Sequence, residues 1–499
     1  METLLEKLEL AVGVKTAAPV YDDNGEEIIK ETTTEGEAVA LARLVAELKK
    51  TQENVPLLRG EDPDDDAFAQ LTDWLVSKFV VELDGGEEAK LRFGVAVGDG
   101  EAGNGLVANK PIAAGEQIVF VHSKLMMSEE TALACPHLGP FAKDDKVISA
   151  FPSLLLALHV MQEATDGKSS KFAPYIAALP ASFNTPLYWG TREFGALAAG
   201  GSPALGEAYA VLKTAVRQYL YLQDKVSSFS IAHRRFSWAN FAWALGVVAT
   251  RQNAVPKASS GLTRNLVDAQ VDKDTKTQLA LVPATAPRDF APGEPITIFY
   301  GPRPNSALLI HSGFVPHYAN HWDTYEVTLD IAALPGREPA DPADPIARLH
   351  PLVLRQLNIA PVCKFYLNAQ MLDPNMVAFV RLGCIDSKDD MTRRAKLFEG
   401  GSVSIVNDEA AYTSIRALVA DLLATKPNRA LDAPDAFLEE ARFKDIARLI
   451  LGEIELLRAN LGFVDNALAA IAAKRERKRL ARIAKKNKAK QSANAADGE

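Results

Sequence analysis

Residues 289–314 read DFAPGEPITIFYGPRPNSALLIHSGF. The Ala291-Pro292-Gly293 turn is followed by Glu294–Tyr300, a short run with strand character, apolar and β-branched at its heart. Three comparable runs lie far upstream, at Phe93–Val97, Leu106–Ala108 and Gln117–Val121, separated by glycine-rich turns and by Ala113-Ala114-Gly115. Between the two groups, from about Glu129 to Val248, the pattern is helical, with breaks near Leu179, Gly200 and Ser227. Short strands on either side of a helix-rich insertion are not the alternating series of a doubly wound sheet. The expected class is α+β.

Outward from this core, Met1 to about Lys50 carries helical spacing, clearest over Val39–Leu48, and Asp66 is placed to cap a short helix through Trp74 and Leu75. The last third, from about Asp344 to Leu480, reads as mostly helical, with amphipathic spacing at Leu418–Leu423 and Leu449–Leu461. The run Lys474–Lys490 is basic with almost no acid; it reads as a solvated helical extension fraying into disorder, or as a nuclear-targeting patch.

Bulk composition excludes several classes. The chain has 499 residues, 47% hydrophobic and 24% charged, enough for two or three cores. A net charge of −9 argues against general nucleic-acid binding. The longest apolar runs, such as Leu154–Val160, are too short to cross a bilayer, and the acidic N-terminus does not read as a signal peptide. Three scattered cysteines, Cys135, Cys363 and Cys384, make no CxxC pair, so a reducing compartment is expected: cytoplasm, with the nucleus as a second location. No His/Cys set falls at zinc-ligand spacing, and no metal is expected. Nucleotide-phosphate loops, HExxH and GxSxG are absent from the sequence. Cys135 near His137 reads as a buried structural thiol beside a loop histidine rather than a nucleophile.

Four segments carry a more specific signal. They are Gly103-Asn104-Gly105-Leu106-Val107-Ala108 with Ile112 and Gly115-Glu116; Pro174-Tyr175-Ile176 to Leu179-Pro180 and Thr185-Pro186-Leu187-Tyr188-Trp189; Phe236-Ser237-Trp238 with Trp243 and Thr250-Arg251-Gln252-Asn253; and the stretch quoted at the outset. In this order they resemble the SET-domain protein methyltransferases that carry a Rubisco-methyltransferase-type substrate-binding domain. The TRQN and IFYG…HSGF runs resemble the branch that methylates a histidine of actin; the lysine-modifying relatives carry a different residue where Asn253 stands. The resemblance implies an N-terminal helical segment (1–90), a SET domain (91–318) with a helical insertion at about 129–248, an all-α substrate-binding domain (319–473) and a basic, disordered tail (474–499). It further implies S-adenosylmethionine as methyl donor, a protein substrate, no membrane, and a monomer.

Transfer of a methyl group from a sulfonium is mainly a matter of alignment and water exclusion. A histidine nucleophile must present a neutral ring nitrogen, which an uncharged amide orients without favouring imidazolium. By resemblance, Asn253 orients the target imidazole and Tyr300 is the active-site tyrosine. Arg251 pairs with the donor's carboxylate, as a permanent charge can. Ala102, Gly103 and Asn104 form the turn against the donor, Ser312 touches it, and Gln252 and Arg303 face the peptide. The family also places an Asn-His pair between the TRQN run and the last strand; the interval Lys257–Asp289 has none, and Asn320-His321 falls beyond Gly313-Phe314, where it reads as linker. Arg59 is the nearest match to a second arginine of the donor site. Several hydrogen bonds to a charged ligand, each worth roughly 1.5–3 kcal/mol, ride on that pair. Two alternatives follow: a lysine methyltransferase of the same fold, or a binding module that performs no chemistry.

Overall fold

The structure, a computed structural model, describes residues 2–15, 33–79, 93–96, 105–108, 110–122, 125–223, 225, 235–252, 281–296, 300–338, 344–346, 348–426 and 441–496. It divides into two compact units: Met1–Phe194 with Gly206–Arg303 and Leu308–Phe314, and Gly195–Leu205 with Pro304–Ala307 and Val315–Glu499.

The first unit contains two small antiparallel sheets. Strands β1 (Phe93–Ala96), β2 (Gly105–Ala108) and β5 (Pro295–Ile296) form one, in the order β1-β2-β5; β3 (Gln117–His122) and β4 (Leu281–Thr285) form the other. Residues early and late in the sequence therefore pair, with Leu106 opposite Ile296 and Val121 opposite Val282. An isolated bridge joins Ile112 to Phe290, and these two bury with Ala108 and Ala286 in a small core. The turns Ala113-Ala114-Gly115-Glu116 and Ala291-Pro292-Gly293-Glu294 are built alike. In each, the glutamate accepts the N–H three residues back and the glycine takes positive φ, +80° and +83°. The strands expected at Phe93–Val97, Leu106–Ala108, Gln117–Val121 and Glu294–Tyr300 are thus present over their described residues, and β4, with Pro283 inside it, joins them. Proline is tolerated there because, among the described residues, β4 has a single strand partner.

The helices of this unit and its connection are α1 (Glu2–Ala11), α2 (Thr34–Thr51), α3 (Asp65–Phe79), α4 (Glu129–Ala134), α5 (Gly139–Asp144), α6 (Lys146–Ala150), α7 (Pro152–Asp166), α8 (Ala173–Ala177), α9 (Thr191–Ala199), α10 (Ala204–Gln223) and α11 (Trp238–Arg251). Aromatic packing fixes α10 to α11: Tyr219 stacks on Phe236 at 5.1 Å and meets Trp238 edge-on at 5.7 Å. Gln52, at the end of α2, donates to the Tyr219 hydroxyl and accepts from the Trp238 N–H, so one amide ties three helices. Asn240, fully buried, donates to Pro56 O and Arg235 O and accepts from the Leu58 N–H. Such satisfaction is what makes a buried amide tolerable.

The second unit holds α12 (Asn305–Ala307), β6 (Tyr325–Asp330), α13 (Leu349–Leu357), β7 (Val362–Leu367), α14 (Pro374–Gly383), α15 (Lys388–Thr392), α16 (Ala395–Phe398), α17 (Ile405–Thr425) and α18 (Ala441–Ala496). The α+β class holds, but this unit is not all-α: β6 and β7 pair antiparallel from Tyr325–Leu367 to Asp330–Val362. Tyr325, Val327 and Leu329 alternate inward onto a core with Leu367, Phe379, Ile415 and Leu457. Helix α18 continues through the basic run to Ala496 as a solvated extension, its side chains exposed from residue 472 to 487. A window within Phe443–Asn487 is long and apolar enough, by length and composition alone, to cross a membrane. Yet Phe443, Leu449, Leu457 and Val464 of that stretch are buried in protein.

Candidate active site

The helix α11 ends at Arg251, and Gln252 caps it in extended backbone, its N–H donating to Val248 O at 2.8 Å. The Arg251 guanidinium lies 5.2 Å above the Phe183 ring and donates to Thr250 Oγ1 at 2.6 Å. Phe183 reaches this position because residue 246 is glycine: a Cβ there would come within 2.5 Å of Phe183 Cδ2. Tyr188 meets the same ring edge-on at 6.0 Å. A planar cation over an aromatic face is pre-oriented by the ring.

Electrostatics bring Tyr300 and Tyr175 into this wall. Burial pushes the Arg251 pKa below its ordinary value, and the phenols of Tyr175 and Tyr300 act against that shift. Burial likewise raises the Tyr175 hydroxyl, with Arg251 opposing. The Arg251 side chain nevertheless remains exposed to water. Tyr300 is 39% exposed, its ring held edge-on by Phe314 at 5.4 Å. Gly313, at φ +82°, lets the Ser312–Phe314 turn rest on the Asn184 backbone, where a Cβ would be 3.1 Å from Asn184 O. The π-turn Leu308–Ser312 anchors that turn through buried Leu308, Leu309 and Ile310.

Of the residues singled out by sequence, the structure unites Arg251 and Tyr300 and puts half-buried Ser312 beside the turn that supports Tyr300. Gln252 is exposed and tied to α7, its Oε1 accepting from Ser153 Oγ at 3.0 Å. Arg303 is exposed, just past Tyr300. Ala102, Gly103, Asn104 and Asn253 lie outside the described residues. Arg59 donates from Nε to Leu179 O at 3.0 Å, beside Pro180, whose carbonyl accepts from Trp243 Nε1. Asn320 and exposed His321 belong to the second unit; Asn320 donates to Asn305 Oδ1, bracing the buried Asn305–Asp323 pair. Cys135 is buried and His137 exposed, as expected for a structural thiol beside a loop histidine. Sequence reasoning assigned no role to Phe183, Tyr175 or Phe314. The clue was available: all three fall inside or beside the quoted motif segments, where an aromatic near a cationic site is a candidate wall.

No family model matches the chain. It is similar to the actin-histidine N-methyltransferase of Canis lupus familiaris, 27% identical over 372 residues, covering 71% of this chain and 59% of that protein. The same protein of Rhinolophus ferrumequinum is 26% identical over 370 residues, covering 71% and 58%. That of Gallus gallus is 26% identical over 471 residues, covering 88% and 74%. The match thus spans under two thirds of the length of the first two of these relatives. Among solved structures, Rubisco LSMT bound to AdoMet aligns with TM-score 0.59 at 21% identity, covering 81% of this chain and 93% of that one. Rubisco LSMT bound to sinefungin and monomethyllysine gives TM-score 0.61 at 20% identity, covering 82% and 93%. The chain therefore has the fold of the SET-domain methyltransferase Rubisco LSMT, carried on a sequence similar to the actin-histidine N-methyltransferases.

Proposed function

We propose that this chain is an S-adenosylmethionine-dependent protein methyltransferase acting on a histidine of actin, as a monomer, in the cytoplasm and the nucleus. The observation that carries the reading is the electrostatic proximity of Arg251, from the TRQN run, and Tyr300, from the segment after β5. The donor supplies an electrophilic methyl group on a sulfonium. The residues present suit it: a permanent cation on Phe183 for the carboxylate, the Ser312 hydroxyl beside the turn, and aromatic rings that exclude water. By resemblance, Ala102, Gly103 and Asn104 would form the turn that holds the donor. Tyr300 directs its hydroxyl to the reacting centre, Asn253 fixes the imidazole tautomer, and Gln252 and Arg303 line the peptide path.

The test is methyl incorporation from isotopically labelled S-adenosylmethionine into actin by the full chain, with the modified residue located by mass spectrometry. Label on a histidine supports the proposal. Label on lysine instead selects the lysine methyltransferase, a reading also compatible with the Rubisco LSMT fold. The sequence interval Lys257–Asp289, which lacks an Asn-His pair, favours the third reading, a binding module. Stable association with actin and no label from millimolar donor would establish it.

A further inference from the structure

We propose that Cys135, His159 and Glu163 form a buried zinc site in the first unit. Sequence spacing hides the set, because Cys135 follows α4 while His159 and Glu163 sit one turn apart on α7. Folding brings one donor atom of each within 4.8 Å of the others. All three residues are buried, with His159 at 1% exposure.

Hydrogen-bond accounting points to a cation rather than to a structural network. Thr131 Oγ1 donates to Ser128 O and accepts from the Ser128 N–H. With the hydroxyl hydrogen so placed, His159 Nε2, 3.2 Å from that oxygen, is the donor between them. The other ring nitrogen, Nδ1, therefore carries a lone pair, and it has no hydrogen-bond partner. That lone pair faces Glu163 Oε1 at 3.6 Å, while Glu163 Oε2 accepts from Ser170 Oγ at 2.5 Å. A lone pair, a carboxylate oxygen and a sulfur thus surround one point.

An orphaned buried acceptor costs free energy, and two acceptors facing each other add repulsion. A metal at that point removes both penalties. The 3.6 Å separation approximates the ~3.4 Å edge of a tetrahedron whose Zn–N and Zn–O bonds are about 2.0–2.1 Å. Thiolate and carboxylate together would balance the dication, leaving a neutral site. Thr131 would serve as the outer partner that fixes the ring tautomer, and Ser170 as that of the carboxylate. A water would complete four-coordination.

The experiment uses the full chain, purified and dialysed with zinc supplied. Elemental analysis should give one zinc per chain, and zinc-edge X-ray absorption a sulfur at about 2.3 Å with nitrogen and oxygen at about 2.0–2.1 Å. Cobalt exchange should produce a thiolate charge-transfer band with the visible bands of a tetrahedral ion. C135S should lose the charge-transfer band, and C363S should keep it. A sulfur-free shell, a charge-transfer band surviving C135S, or wild-type protein that holds neither zinc nor cobalt overturns the proposal. The wild-type spectra decide even where the variant does not fold.

Discussion

Arg251 in the first unit and Lys426 in the second are both cations set over an aromatic ring, Phe183 at 5.2 Å and Tyr325 at 4.9 Å. Their circumstances otherwise diverge. Lys426 is 2% exposed and donates to Glu453 Oε2 at 2.5 Å and to Gly201 O at 2.9 Å. Glu453 also accepts from Ser202 Oγ, and burial raises its pKa while Lys426 opposes. This cluster is closed: its charges are spent on one another, tying Gly201–Ser202 to α18 within the second unit. Arg251 instead lies at a wetted surface, where crowding by protein disfavours its charge. A pair closed off from water fixes a fold, whereas a cation that water still reaches is one a ligand can also reach.

The largest break in this comparison comes from Lys426→Met. It strands Glu453 among protein atoms and should destabilise by about 3–5 kcal/mol. The double variant Lys426→Met/Glu453→Leu should recover most of that loss in chemical denaturation, because no unpaired charge remains. Donor binding should follow only the fraction folded. Gly246→Ala comes next. The added Cβ collides with Phe183, costing about 1–3 kcal/mol, and tilts the ring from under Arg251. Calorimetry should show weaker donor binding at a temperature where the variant is folded. Arg251→Lys sharpens the contrast further: charge survives but the planar stack and bidentate geometry do not, so donor affinity should fall about tenfold with stability unchanged.

The smallest effect concerns acid. Asp145 accepts from the Ile148 and Val147 N–H groups, Tyr221 and Lys225. Desolvation works against these bonds, yet they hold its pKa at about 2. Its contribution to stability is complete above pH ~4 and disappears as pH falls toward 2, since the unfolded chain takes up the proton first. Asp145→Asn should flatten that segment of the stability–pH curve.

Much of this was legible in the sequence. The strands flanking a helical insertion were readable because AAGE and APGE turns punctuate apolar runs, and Arg251 and Tyr300 because their flanking motifs are distinctive. The β6–β7 pair was not. Tyr325–Asp330 alternates as a strand should, but its partner lies beyond α13, so no hairpin turn announces it. The solvated extension of α18 was readable from helix propensity and continuity with a packed helix, but its extent was not, because a basic run has no apolar face to mark an end. Phe183 escaped because its importance depends on a glycine in another element. Cys135, His159 and Glu163 escaped for the same kind of reason: their convergence is tertiary, written in how α4 lies on α7.

The most direct measurement is titration calorimetry of S-adenosylmethionine into the full chain and into Arg251→Ala. The account expects saturable binding at one site, weakened at least tenfold by the substitution while the melting curve stays in place. Absence of heat at millimolar donor, or equal affinity in the two proteins, would contradict it.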